Sequence, residues 1–329
     1  MEWLRLSSEL TVKLYHGYGN AQHSIIFGHV LSLRPLSRKN YRKNFLINLL
    51  ALIRLFIVRP VEGAQLRLRS GKALITETTD AGGFFKFEWE TEDPSAFGWQ
   101  EVEVELLNAA GEVIKVGRGS VFIPHLTQYA FISDIDDTFL ISHSSSLRKR
   151  LFVLFTNNPR SRRPFEGVVN HYRLLMNAQT NEAEPNPFFY VSSSEWNLYD
   201  YLVEFTRVNK LPEGVFLLNT LKVFSQMMKT GQNNHGTKFT RIVRILEAFP
   251  NQKFILLGDS SQHDPDIYAS IVEHFPGKIH VVYIRDTYHA NKEKVEKILA
   301  KLEKAGVQFS FFNHSADAIK HSKEIGLIE

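Results

Sequence analysis

The pattern of apolar and polar positions changes once along the chain, near Pro124. Before it, apolar residues recur at every second place. Gln100–Leu106 (QEVEVEL) alternates throughout, and Ile25–Leu33, Ala64–Leu68, Phe84–Trp89 and Gly117–Ile123 read as further strands. Successive side chains of a strand face opposite ways, so this period predicts half-buried strands. Turn clusters stand between them at Thr79–Gly83 (TDAGG) and Ala109–Glu112 (AAGE). Strands so spaced, without interleaved helices, predict a β-rich, sandwich-like domain over residues 1–125. One apolar stretch, Phe45–Val58, breaks the pattern and predicts a helix.

After Pro124 the strands read as unbroken apolar runs: Tyr129–Ser133, Phe188–Ser192, Val215–Leu218, Lys253–Gly258, His280–Arg285 and Gln308–Phe312. Helical stretches such as Leu198–Val208 and Phe239–Phe249 alternate with them. Continuous apolar strands suit a parallel sheet covered on both faces. The alternation predicts a doubly wound α/β domain over residues 126–329. The first connection, Phe139–Pro187, is far longer than a usual loop and predicts an inserted cap. In such sheets ligands bind beyond the carboxyl ends of the strands, which directs attention to the residues that follow each run.

Those residues are acidic or hydroxylic. Tyr129–Ser133 is followed by Asp134-Ile135-Asp136-Asp137-Thr138, Phe188–Val191 by Ser192-Ser193-Ser194, and Lys253–Gly258 by Asp259, with Asp264 and Asp266 shortly after. Lys238 stands where a helix opens. A carboxylate such as Asp134 can attack phosphorus directly. A second, Asp136, can protonate the leaving alkoxide and then deprotonate water. Carboxylates this close repel one another and call for a cation. All-oxygen ligation by carboxylates such as Asp134, Asp136 and Asp259 suits Mg²⁺. Lys238 and the Ser192 hydroxyl would hold the remaining phosphoryl oxygens. Ser193 and Thr138 complete the candidate substrate-binding set. Thr138 fits better as a hydroxyl–backbone brace of the turn, Asp137 as a solvated or capping carboxylate, and Asp266 as a helix N-terminal residue.

Composition narrows the chemistry. The 329 residues are 43% hydrophobic and 22% charged, ordinary for a globular chain. The absence of cysteine excludes disulfides, thiolate metal sites and cysteine nucleophiles, and fits a reducing, cytoplasmic setting. The net charge of +4 suits an anionic substrate or surface. The beginning of the chain lacks the apolar core of a signal peptide. Phe45–Val58 is too short to span a bilayer and contains Arg54, so it reads as a buried helix behind the basic run Arg34–Lys43. The other reading is peripheral attachment to an anionic membrane, aided by Arg148, Lys149, Arg150, Arg160, Arg162 and Arg163. A solvated basic face explains those residues equally well. Glycine-rich phosphate loops are absent, and nothing points to nucleic acid.

The ordered set Asp134/Asp136, Ser192, Lys238, Asp259/Asp264 resembles the four motifs of the haloacid dehalogenase superfamily of phosphohydrolases. The strings SDIDDT, YVSSSEWNLYDYL, ILLGDSSQHDPDIY and VYIRDT, between Ala130 and Thr287, resemble the catalytic domain of the actin-patch type of phosphatidate phosphatase and its bacterial relatives. The resemblance implies a Mg²⁺-dependent conversion of phosphatidate to diacylglycerol through an aspartyl phosphate. Asp134 would be nucleophile, Asp136 general acid/base, Ser192 and Lys238 phosphate holders, and Asp259 and Asp264 the acidic metal motif. Two positions depart from the pattern: Ser193 stands where asparagine is expected, and HGTK separates a histidine and lysine expected side by side. The competing expectations are a phosphatase of a soluble phosphorylated metabolite, and a binding module with a vestigial phosphatase domain.

Overall fold

The computed structural model describes residues 6–35, 53–70, 73–91, 93, 97–136, 138, 164–223 and 234–329. Ten strands belong to one sheet in the first part of the chain: β1 (Leu6–Ser7), β2 (Thr11–Leu14), β3 (Gly17–Gly19), β4 (His23–Pro35), β5 (Arg59–Pro60), β6 (Gln65–Ser70), β7 (Ala73–Thr78), β8 (Phe84–Glu90), β9 (Gly98–Leu107) and β10 (Val113–Ile123). The 13-residue β4 is its spine. One edge of β4 pairs with β8 and then β5, and the other with β3, β2 and β1. The sheet closes on a core of alternate residues, including Val12, Leu14, Ile26, Val30, Leu66, Leu68, Phe85, Phe87, Val104 and Leu106. Alternation located β4, β6, β8, β9 and β10. It did not locate β1, β2, β3 or β5, which are too short to show a period, or β7, in which Leu74 and Ile75 stand side by side.

The apolar stretch Phe45–Val58 lies mostly outside the described residues, as do residues 36–43 of the basic run. Its described end makes a helical turn at residues 53–55, with Arg54 and Phe56 buried. No described helix is long and apolar enough to cross a membrane.

The second sheet comprises β11 (Tyr129–Ser133), β12 (Phe188–Glu195), β13 (Val215–Asn219), β14 (Lys253–Asp259), β15 (Ile279–Arg285) and β16 (Gln308–Phe312). The order is β13-β12-β11-β14-β15-β16, and every pairing is parallel. The connecting helices are α1 (Val168–Met176), α2 (Tyr199–Asn209), α3 (Asn234–Ala248), α4 (Asp264–His274) and α5 (Lys292–Lys304), and α6 (Ser315–Glu324) follows β16. All five residues of β11 are buried, as are six of the seven in β14. Strand order reverses between β11 and β14. Chains leave these two strands in opposite directions there, which opens a crevice at the carboxyl edge.

The expected cap segment, Phe139–Pro187, is described only from residue 164 onward. Its later part forms α1, whose Val168, Tyr172 and Leu175 are buried in the core of the second sheet. A helix is needed there because parallel neighbours such as β11 and β12 require a crossover. Residues 139–163 lie outside the described residues, together with Arg148, Lys149, Arg150, Arg160, Arg162 and Arg163.

The two sheets share an aromatic seam. Tyr15, Tyr18 and Phe27 belong to the hydrophobic core of the second sheet. The Tyr15 and Trp196 rings stack 4.1 Å apart. The seam is pinned by His16 N donating to Tyr199 Oη (2.9 Å) and Asn20 Nδ2 donating to Ala248 O (2.7 Å).

Candidate functional site

Register gathers the candidate residues. Ser133 of β11 stands opposite Tyr190 of β12 and Leu257 of β14. The residues just beyond, Asp134 to Asp136, Ser192 and Asp259, therefore emerge together at the carboxyl edge. Asp134 N extends the ladder by donating to Leu257 O (2.8 Å). Ser133 Oγ donates to Asp134 O (2.6 Å) and shares a hydrogen bond with Tyr172 Oη (2.8 Å), which anchors the backbone of the turn on α1.

Three carboxylates converge. Asp134, Asp259 and Asp264 each offer an oxygen, and these oxygens all lie within 4.8 Å of one another. All three residues are at most 2% exposed. Asp264 opens α4, with Pro265 in the first turn where a missing N–H does no harm. Gly258 allows that helix end to approach β14: a Cβ on this residue would lie 2.8 Å from both the Asp264 Cβ and the Tyr268 ring. Asp259 is held by Ser261 N (2.6 Å) and Thr287 Oγ1 (3.2 Å).

Lys238, in the second turn of α3, reaches into this group. Its ammonium donates to Asp134 Oδ1 (2.7 Å) and to Asp264 Oδ1. Burial depresses the lysine, but the Asp134 and Asp264 carboxylates outweigh it and hold the ammonium protonated. Burial also raises the Asp134 carboxyl well above the usual carboxylate range; Lys238 opposes this, and the charges of Asp264, Asp259 and Asp136 add to it. Three buried carboxylates against one ammonium leave the group net negative. Buried charge of that kind is normally paired or bound to a metal. The donor set, all carboxylate oxygen, matches a hard divalent cation.

Asp136 faces elsewhere. Its Oδ2 accepts from Ser194 Oγ (3.0 Å) and Ser192 Oγ (3.5 Å). Of the four residues expected to form the metal set, the side chains of Asp134, Asp259 and Asp264 form the three-carboxylate group, and the Asp136 carboxylate lies with the serines. The serines can reach it because β12 loses its regular pairing with β13 between Val191 and Glu195. Such irregularities turn a side chain out of the pleat. Ser192 thus supports Asp136 while Ser194 N donates to its hydroxyl (2.9 Å). Ser193 is half-buried at the same edge. The Thr138 hydroxyl points at the Asp134 Oδ2 carboxylate oxygen (3.5 Å). Asp266 is a half-buried residue of the first turn of α4, paired with Lys294 (2.6 Å). His263 is exposed, and Asp137 and His143 lie outside the described residues.

Three residues were not singled out by the motifs. Ser194 was hidden by the SSS run, in which spacing cannot say which hydroxyl turns inward. Arg285, buried at the end of β15, donates through Nε to Thr138 O (3.0 Å), and to Asn313 O (3.1 Å) and Ser315 Oγ (2.8 Å). Its guanidinium lies 4.6 Å from the Phe165 ring and 4.8 Å from Phe312, so it fixes the chain that carries the acidic turn. Its sequence signals were its place at the end of an apolar strand and in the string VYIRDT. Arg241 of α3 donates to Ser192 O (3.3 Å) and Asn219 Oδ1 (3.4 Å), bracing β12 against β13.

Comparison with known proteins places this edge in a matched region. Residues 129–286 match the family described as phosphatidate phosphatase APP1, catalytic domain. Over 155 residues the chain is 33% identical to phosphatidate phosphatase APP1 of Saccharomyces cerevisiae, covering 47% of this chain and 25% of the yeast protein. It is 25% identical over 189 residues to an uncharacterized protein of Schizosaccharomyces pombe, covering 56% of this chain and 30% of that one. The chain thus spans less than a third of either relative. Among solved structures, a carbohydrate acetylesterase from Xanthomonas citri aligns over 92% of this chain and 68% of its own, at 10% identity and a TM-score of 0.32.

Proposed function

We propose that the chain is a phosphatidate phosphatase-like phosphoric monoester hydrolase with a doubly wound, haloacid dehalogenase-like catalytic domain over residues 126–329. The observation that carries this reading is the buried meeting of Asp134, Lys238, Asp259 and Asp264 inside the stretch matching that catalytic domain. The reversal of strand order at β11 and β14 supports the fold.

The donor set fits Mg²⁺, which the carboxylates of Asp134, Asp259 and Asp264 would hold. When bound, the ion neutralises charge growing on the phosphoryl oxygens. Asp134 attacks phosphorus, the ester P–O bond breaks, and the departing alkoxide takes a proton from Asp136. Asp136 then removes a proton from water, whose oxygen attacks the aspartyl phosphate and releases inorganic phosphate and the Asp134 carboxylate. Ser194 and Ser192 orient Asp136, and Lys238 holds a phosphoryl oxygen through the transfer. The apolar stretch at residues 45–58 and the basic residues 148–163 favour a lipid phosphate met at a cytoplasmic membrane surface.

The test is phosphate release from phosphatidate, lysophosphatidate and soluble phosphomonoesters, with Mg²⁺ or with EDTA. Mg²⁺-dependent release, fastest from phosphatidate, is expected. Preference for a soluble ester would replace the lipid, and no release from any of them would leave a binding module.

A further inference from the structure

A second cavity opens at the carboxyl edge of the same sheet, on the far side of β12 from Asp134. It measures about 260 Å³. The second sheet and its helices supply one wall through Leu217 and Leu218 of β13, Leu221, Trp196, Arg241 and Arg244. The first sheet supplies the other through Tyr18, Phe27, His29 and Phe84. Neither sheet makes the cavity alone.

Its lining is mostly apolar, with His29, Asp80, Thr220, Arg241 and Arg244 as the polar members. Phe27 lies 6.2 Å from Tyr18 and 6.4 Å from both Phe84 and Trp196, ring centre to ring centre. Burial drives the His29 imidazole down to about 3, so it stays neutral. Asp80, at the mouth, has one carboxylate oxygen occupied by Gly82 N and Phe84 N, both within 2.9 Å. Rings and leucines make up most of the lining, which suits a hydrocarbon chain.

The cavity is also within reach of the carboxylates. β13 stands two strands from β11, which at usual spacing is about 10 Å. Arg241 joins the two places, since it lines the cavity and donates to Ser192 O. A phosphoryl group at Asp134 and a chain of several methylenes in the cavity can therefore belong to one molecule.

We propose that this cavity receives the acyl chain of a lipid phosphate whose phosphoryl group lies at Asp134. The N-terminal sheet is then a chain-selecting wall of the enzyme. The inference rests on the phosphatase reading.

The experiment compares kcat/KM for hexanoyl, decanoyl and oleoyl lysophosphatidate and for p-nitrophenyl phosphate, with Mg²⁺, in the wild type, Leu221→Trp and Gly82→Leu. Gly82 has negative φ, and an added Cβ meets only the Asp80 carboxylate, so one wall is filled without a change of fold. The wild type should gain about fourfold in kcat/KM per added methylene until the cavity is full. Both variants should lose about tenfold or more on the decanoyl ester and stay within about twofold on the aryl phosphate. A second readout uses Asp134→Asn: a bromine-substituted decyl phosphate should quench Trp196 emission, and the quenching should disappear with Trp196→Phe. Activity on all esters with no chain-length dependence, no variant effect and no quenching would overturn the acyl cavity and leave the phosphatase standing. Release of phosphate from none of them would overturn both.

Discussion

Replacing Asp134 with asparagine removes one negative charge from the most buried part of the site and keeps its shape. The oxygens of Asp134, Asp259 and Asp264 lie within 4.8 Å of one another. At an effective dielectric constant of about 20, unit charges at that distance interact by about 3.5 kcal/mol. Two such repulsions act on Asp134, at least about 7 kcal/mol together. Its attraction to Lys238 at 2.7 Å is about 6 kcal/mol on the same scale. Removing the dehydration of a fully buried carboxylate then tips the balance further. Asp134→Asn should therefore stabilise the protein in EDTA by about 1–3 kcal/mol, with Lys238 still paired to Asp264. For a chain of this size that is a rise in Tm of a few degrees, read by calorimetry in EDTA. With Mg²⁺ the order reverses: the variant lacks one ligand and should gain less from the ion. Turnover should fall by about ten-thousandfold or more, since the nucleophile is gone. A lower Tm in EDTA would show that the carboxylates do not strain the fold, and a near-normal rate would remove Asp134 as the attacking group.

Ser194→Ala deletes the 3.0 Å bond that orients Asp136; kcat should drop about tenfold with KM little changed, and an unchanged kcat would return that role to Ser192. Arg285→Lys cannot replace three directed donors and leaves Thr138 O without its partner; steady-state kinetics and urea denaturation should show kcat lowered by up to about a hundredfold and stability by about 2–3 kcal/mol. His29 and His171 are buried, which drives both imidazoles from 6.5 down to about 3. The unfolded chain then takes protons first as pH falls, so stability is complete above about pH 6.5 and is lost toward pH 3. Denaturant titrations should show a loss of about 1.4 kcal/mol per pH unit for each imidazole in that window, and His171→Asn should remove that imidazole's share of the slope. A slope unaffected by that substitution would place the acid sensitivity elsewhere.

Period and strand-end chemistry were enough to read much of this molecule. Unbroken apolar runs marked every strand of the second sheet, because a strand buried on both faces has no polar side to show. Those runs also marked where Asp134, Asp259 and the serines must emerge, because parallel strands end at one edge. Lys238 could be placed with them because the helix it opens leads into β14. The orientation of individual side chains was a different matter. Only the loss of register between Val191 and Glu195 turned Ser194 toward Asp136 and kept that carboxylate out of the three-carboxylate group, and no local spacing encodes it. The place of the N-terminal sheet was equally invisible. Tyr15, Tyr18 and Phe27 read as ordinary strand residues, yet they pack into the other sheet's core and wall a cavity beside its acidic edge. Such contacts join residues nearly two hundred positions apart, so they are set by how the two surfaces fit and not by any pattern within either segment.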